Sequence, residues 1–337
     1  MYPFDVVHIG LGKCMSTYLQ NMWARDPAIR NIEGRQLVQA VNDAIVAHVQ
    51  HGTELPEINL NFKSADVPNR IFTAEGFTFS FLNAAEMGAS IPMKHRYVAR
   101  TIAGFAPRVL LVVRDPVSWI ASAHAQSINQ GGFRNRQQFV SQCRASVLNN
   151  LNLNTITQAF TEQGFEVVML PMELLAEEPD AFWALLEHTC GLSTPADLRP
   201  LSLTDQNRTN HKQLPLAAAI NRVHARLADG VRRGNEPDAE AVLQTLGHAQ
   251  AWGARRGLSG ADEAVLAELR GLVNHADEDA FLSYEVDEAF VAALRRDFIT
   301  PLESVDTVIP MLGRYNASLD ALLTSPDQRT QTHRPHR

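Results

Sequence analysis

The first place in this sequence where chemistry could be done is a glycine-bearing turn with a lysine beside it. An apolar run broken only by His8 leads into Gly10-Leu11-Gly12-Lys13-Cys14-Met15-Ser16-Thr17-Tyr18. A turn of this kind, followed by hydroxyl residues at a helix start, makes an anion cradle. The first N–H groups of the helix have no intrahelical acceptor, and the helix dipole adds positive potential. Lys13 brings a mobile point charge, and Ser16 and Thr17 can cap the helix or donate to phosphate oxygens. The same residues also suit an ordinary capped helix behind a buried strand. They do not form the usual nucleoside-triphosphate loop, which needs four residues between its glycines and a Ser or Thr after the lysine. Here Leu11 alone separates the glycines and Cys14 follows Lys13, which disfavours an ATP-driven kinase.

A second candidate follows the strongest apolar run. Val109-Leu110-Leu111-Val112-Val113 ends in Arg114-Asp115-Pro116. Pro116 suits the first turn of a helix and Asp115 its N-cap. Ligands of open α/β sheets bind at the carboxyl ends of the strands, where Arg114 falls, and a guanidinium offers a planar fork suited to a phosphate monoester. The alternative for Arg114 is a structural ion pair at the sheet edge.

Two residues compete as an acid or base. Glu75 follows the short run 70–73, with Gly76 behind it, and there a carboxylate would face a ligand crevice. It could equally cap a helix over 77–82. His95, in Ile91-Pro92-Met93-Lys94-His95, has an ordinary pKa near ~6.5. It could equally be a surface residue starting a helix over 97–105. His8 and His124 read as packing residues.

The elements that must position these groups alternate in type. Runs at 5–9, 70–73, 108–113 and 166–170 are continuously apolar, as in strands buried on both faces. Amphipathic helical stretches lie between them at 35–51, 137–163 and 179–190. The expectation is an α/β fold: a doubly wound, mainly parallel sheet with a P-loop-like turn, plus a helical C-terminal appendage. The expected division is a core over 1–213, a helical cap over 214–300, a returning helix over 301–324 and a disordered tail over 325–337. Within the cap, helices are expected at 216–232, 238–255, 261–273 and 287–298, and a last helix at 309–323. Thr307-Val308-Ile309 is the one later strand-like run.

Composition narrows the function classes. The 337 residues are 45% hydrophobic and 20% charged with a net charge of −7, which argues against a protein that coats nucleic acid. The three cysteines, Cys14, Cys143 and Cys190, are odd in number and form no CxxC pair, so neither a disulfide framework nor a zinc signature is read. No apolar run approaches the ~20 residues of a membrane helix, and the N-terminus lacks the features of a signal peptide. The expectation is a soluble, cytoplasmic protein without an integral membrane segment. Of 30 basic residues only Lys13, Lys63, Lys94 and Lys212 are lysines, so two of the four fall in candidate site segments.

Taken together, Lys13-Cys14-Met15-Ser16-Thr17-Tyr18-Leu19 resembles the 5′-phosphosulfate loop of the sulfotransferases that use 3′-phosphoadenosine 5′-phosphosulfate (PAPS), a pattern close to K-x-G-T-T-x-L. Met15 stands where that family usually has glycine. Arg114 and Ser122 have the spacing of its 3′-phosphate motif. Glu166–Pro171 with the following Met-Glu-Leu-Leu, Pro179, Phe182-Trp183 and Gly191-Leu192 resembles its later structural segment. The likeness covers about residues 5–210, with a weaker one at Tyr315–Leu323.

The resemblance implies a sulfotransferase moving a sulfuryl group from PAPS to a hydroxyl or amine, with small molecules, carbohydrates and glycolipids as candidate acceptors. It implies no metal. Cofactor contacts would come from Gly12, Lys13, Cys14, Met15, Ser16, Thr17, Tyr18, Arg114 and Ser122. Lys13 would neutralise the leaving bridging oxygen, and Glu75 or His95 would take the acceptor's proton. Arg255-Arg256-Gly257 is similar to a further phosphate-closing tripeptide, but Arg232-Arg233-Gly234 repeats it, and a solvated helix end fits both. The alternatives are a nucleotide-dependent phosphotransferase and a non-catalytic nucleotide-binding protein.

Overall fold

Five parallel strands carry the molecule's first functional candidates on their carboxyl ends. The computed structural model describes residues 2–26, 31–58, 71–74, 76–195, 214–215, 217–218, 221–222, 225 and 278–323. The strands are β1 (Val6–His8), β2 (Asn31–Glu33), β3 (Ile71–Thr73), β4 (Arg108–Val113) and β5 (Glu166–Pro171). They pair in the order β2-β3-β1-β4-β5, all parallel. Val6 lies opposite both Ile71 and Arg108. All three residues of β1 and residues 109–113 of β4 are buried, as continuous apolar runs require of strands covered on both faces.

The connections are helical. Helix α1 (Ser16–Trp23) follows β1, α2 (Arg35–His51) precedes β3, and α3 (Ile91–Thr101) leads into β4. Beyond β4 come α4 (Pro116–Asn129), α5 (Arg136–Gln142), α6 (Arg144–Asn150) and α7 (Leu153–Thr161). After β5 follow α8 (Met172–Glu177) and α9 (Pro179–Cys190), and later α10 (Glu278–Leu282), α11 (Glu288–Leu294) and α12 (Ile309–Leu323). A π-helical turn, Arg295–Ile299, continues α11.

The chain divides into two compact units. One comprises 1–119, 145–206 and 286–337, and the other 120–144 and 207–285, so the boundary falls inside α4. The first unit holds the sheet. The second has its own apolar cluster, in which Ala125, Ile128, Leu214, Ala217 and Ala218 pack with Phe281 and Leu282. Contacts thus group 286–300 with the sheet and 120–144 with the second unit, a different grouping from the sequence-based division at 213 and 300.

Several expectations needed correction. The stretch 137–163 is three helices: Asn135 caps the first and Asn152 the third by accepting the N–H three residues on, and the first ends at Cys143. No helix forms over 77–82, where the chain turns and bends, and the helix around His95 is Ile91–Thr101. Val308 lies in a turn whose N–H bonds the Val305 carbonyl, not in a strand. The edge strand β2 was not anticipated, being three residues long with polar residues at both ends. Most of the expected cap helices at 216–273 and the tail 325–337 lie outside the described residues. No described helix is long and apolar enough to cross a membrane.

Candidate functional site

Strand order fixes where a ligand would sit. From β1 the chain moves to the β3–β2 side, whereas from β4 it moves to β5 on the other side. The point where connections diverge, between the carboxyl ends of β1 and β4, is the crevice where open α/β sheets bind ligands. The two loops that leave those ends carry Lys13 and Arg114.

The β1 loop is strained. Gly10 has φ 47, Lys13 φ 70 and Met15 φ 63, so two side-chain-bearing residues occupy the left-handed region that favours glycine. Met15 is the N-cap of α1 with φ 63 and ψ 13. The position where the resembling family carries glycine therefore keeps a glycine-like conformation here despite its side chain, at a cost of ~1–2 kcal/mol. The N-cap residue gives α1 no side-chain cap hydrogen bond. Ser16 Oγ, on the first residue, is buried and has no hydrogen-bond partner. An orphaned buried hydroxyl on the first residue of a helix is an arrangement that an anion would complete.

Three loop carbonyls are tied back by side chains from elsewhere in the unit. Thr78 Oγ1 donates to Gly10 O at 2.7 Å, Trp119 Nε1 to Gly12 O at 2.7 Å, and Arg114 Nη1 to Lys13 O at 3.2 Å. In a trans peptide the next N–H points opposite to its carbonyl. Tying back these carbonyls therefore turns the amides of Leu11, Lys13 and Cys14 the other way. The Cys14 N–H is already engaged, donating to Leu11 O at 3.1 Å, and its thiol is buried. Gly12 is required by packing: a Cβ there would stand 2.4 Å from the Phe79 ring. Lys13 is half-buried, Thr17 is exposed, and burial pushes the Tyr18 hydroxyl up to about 12.

The β4 corner is built differently. Asp115 is 3% exposed and caps α4, accepting from Ser118 N at 2.7 Å. Its own N–H donates to Glu173 Oε1 at 2.9 Å, and Glu173 Oε2 accepts the Tyr315 hydroxyl at 2.7 Å. Ser318 donates to the other Asp115 oxygen. Burial and the neighbouring Glu173 carboxylate hold the Tyr315 hydroxyl far above its ordinary value, so it stays protonated and donating. Two buried carboxylates of α4 and α8 are thereby pinned by α12. Glu173 is not among the sequence-based candidates; a glutamate inside an apolar segment after a buried strand is the signal the sequence offers for it.

The structure brings Lys13 and Arg114 together. Arg114 is half-buried, and its guanidinium forms no ion pair with a described residue. Ser122 lies on the stretch of α4 that belongs to the second unit. Glu75 lies outside the described residues. His95 is fully buried, with Nε2 3.2 Å from Thr78 O. Facing a carbonyl, Nε2 carries the proton, and Nδ1 is left without a partner. Burial lowers its pKa to about 3, with the Thr78 hydrogen bond opposing and Lys94 and Arg96 adding to the fall. His8 is likewise buried at a pKa of about 4, bonded to Thr73 Oγ1 at 3.0 Å and edge-on to Trp23. In the second unit His124 Nε2 bonds Arg134 O at 2.8 Å.

A cleft of about 300 Å³ also lies on the flank of α3 and α7, lined by Leu55, Met93, Arg96, Tyr97, Arg100 and Glu162, among others; no residue of the β1 loop borders it. Among the described residues no group of three or more His, Cys, Asp or Glu is placed to hold a metal ion. Compared with protein-family models, curated proteins and solved structures, the chain matches none of them.

Proposed function

We propose that this protein is a PAPS-dependent sulfotransferase. The observation that carries the reading is the meeting of two anion-binding elements at one switch point: Arg114 Nη1 lies 3.2 Å from the carbonyl of Lys13. Their sequence motifs resemble those of one enzyme family, and the orphaned Ser16 hydroxyl adds a polar atom that lacks only a ligand.

In this reading the α1 amides and Ser16 Oγ hold the 5′-phosphate, and Arg114 meets the 3′-phosphate. The acceptor oxygen bonds to sulfur, the bond from sulfur to the 5′-phosphate oxygen breaks, and 3′,5′-adenosine bisphosphate leaves. Lys13 neutralises the charge that grows on that leaving oxygen. The acceptor's proton goes to a base. A fully buried His95 with pKa about 3 suits that task poorly, which shifts the reading toward Glu75. The missing hydroxyl after Lys13 speaks against a magnesium-dependent phosphotransferase.

A second reading has one observation in its favour. If the burial of His95 leaves the site without a base, the same pocket would bind nucleotide without transferring sulfate. Thermal unfolding with millimolar 3′,5′-adenosine bisphosphate tests the shared premise, because a ligand that binds only the folded state raises Tm. A rise of several degrees is expected, and an unchanged Tm overturns both readings. Sulfate transfer to any member of a hydroxyl and amine acceptor panel then selects the enzyme, and binding without transfer selects the non-catalytic protein.

A further inference from the structure

We propose that residues 76–79, held from behind by Lys94 and His95 of α3, clamp the β1 loop in its anion-binding conformation, which makes Thr78 and Phe79 positioning residues. The inference rests on the proposed reading for its ligand, but the clamp itself stands on contacts within one unit.

The two faces of the segment do different things. Its side chains grip the loop. Thr78, fully buried, donates from Oγ1 to Gly10 O at 2.7 Å, and the Phe79 ring fills the space where a Gly12 Cβ would stand. Phe79 also meets Trp119 edge-on at 5.8 Å, and Trp119 holds the Gly12 carbonyl. Its carbonyls face α3. Lys94 Nζ donates to Gly76 O at 2.5 Å and Phe79 O at 3.3 Å, and His95 Nε2 to Thr78 O.

The arrangement is held at two costs. Lys94 is 0% exposed and has no carboxylate partner among the described residues, only carbonyls and the Phe81 ring at 5.7 Å. Burying a cation on such terms is expensive, and burial brings its pKa down to about 7. Backbone strain is concentrated in the same place. The described non-glycine residues with positive φ are Lys13, Met15 and Phe81, all in the loop or beside the clamp, and Gly76 at φ 100 opens it. Strain of this kind persists only where surrounding contacts over-determine it.

The test pairs variants that keep or remove one donor. Thr78→Val removes the hydroxyl and Thr78→Ser keeps it; His95→Leu removes the ring N–H and His95→Gln can replace it. Two readouts are taken: affinity for 3′,5′-adenosine bisphosphate by calorimetry, and amide hydrogen exchange of residues 10–16 without ligand. Losing one buried hydrogen bond is expected to weaken binding and speed loop exchange about 5- to 10-fold in Thr78→Val and His95→Leu, with Thr78→Ser and His95→Gln near wild type. Wild-type affinity and exchange in Thr78→Val overturn the clamp. If the wild type itself binds no bisphosphate, the sulfotransferase reading fails, and loop exchange alone still decides for or against the clamp. Should Thr78→Val not fold, Phe79→Leu supplies the same readouts, with unchanged loop exchange as the contrary result.

Discussion

Helices α1 and α4 start at the carboxyl ends of neighbouring strands, yet their first turns are opposites. At α4 the corner carboxylates have protein partners: Asp115 caps the helix, Glu173 takes the Asp115 N–H, and Tyr315 and Ser318 complete the two carboxylates. At α1 the N-cap is a methionine in a left-handed conformation that gives no side-chain cap hydrogen bond, and a buried serine hydroxyl has no partner. The saturated first turn of α4 is scaffold, and of that corner only Arg114 is left to meet a ligand in the proposed reading. The unsaturated turn of α1 is where a ligand would finish the structure, because a buried polar group left unpaired costs ~1–3 kcal/mol until something pairs with it.

Removing the charges between the two turns should have the largest effect. Arg114→Ala and Lys13→Ala are expected to weaken bisphosphate binding about 30- to 100-fold, the worth of a charge-assisted hydrogen bond or more. Both should abolish transfer while leaving Tm within a few degrees. Lys13→Arg should not be mild, because a planar fork cannot replace a compact ammonium at a bridging oxygen. Calorimetry showing wild-type affinity in either alanine variant would contradict the assignment.

Acid should act next, and on the α1 side. His8 sits in β1 against α1, and its folded pKa of about 4 lies below the ordinary 6.5. Between those values the unfolded chain binds a proton that the folded one does not. Stability is therefore complete above pH 6.5 and is lost as pH falls toward 4. His95, lowered to about 3, adds in the same direction. Urea unfolding at a series of pH values should show the fall, and His8→Gln should flatten it; equal slopes for the two proteins would refute the role of His8.

Smaller substitutions should separate the two turns by sign. Tyr315→Phe leaves Glu173 Oε2 without its donor and is expected to cost ~2 kcal/mol in stability, with bisphosphate affinity nearly unchanged. Ser16→Ala removes the orphaned hydroxyl and should do the reverse, stabilising by up to ~1 kcal/mol while weakening bisphosphate binding several-fold. Urea titration and calorimetry on the same samples check both; a destabilised Ser16→Ala would mean that the hydroxyl has a structural partner.

Much of the frame was legible because its signals are local. The run 108–113 and the helices at 35–51, 179–190 and 309–323 carry their own periodicity, and the structure has the same limits. The break before α7 was also legible in principle, since Asn152 is a good N-cap within an otherwise helical pattern, whereas the break at Cys143 carries no such signal. The convergence of Arg114 on the Lys13 loop was expected from a motif resemblance, but the physical reason, the switch between β1 and β4, needs the strand order. Nothing local announced the burial of Lys94 and His95, and for Glu173 the only local signal was its apolar surroundings after a buried strand. A charged or titratable residue in an amphipathic helix looks solvated until the segment packed against it is known, and here that segment is the irregular stretch Gly76 to Phe79 for Lys94 and His95, and Tyr315 from far along the chain for Glu173.

In the proposed function the open turn of α1 and the Arg114 corner bind one ligand between them. A crystal structure of the full chain with 3′,5′-adenosine bisphosphate tests this directly. The 5′-phosphate is expected on the first turn of α1 with Ser16 Oγ among its donors, and the 3′-phosphate on Arg114. Bisphosphate seated elsewhere, for instance against Arg96 and Arg100 in the α3–α7 cleft, with Ser16 still unpartnered, would contradict it.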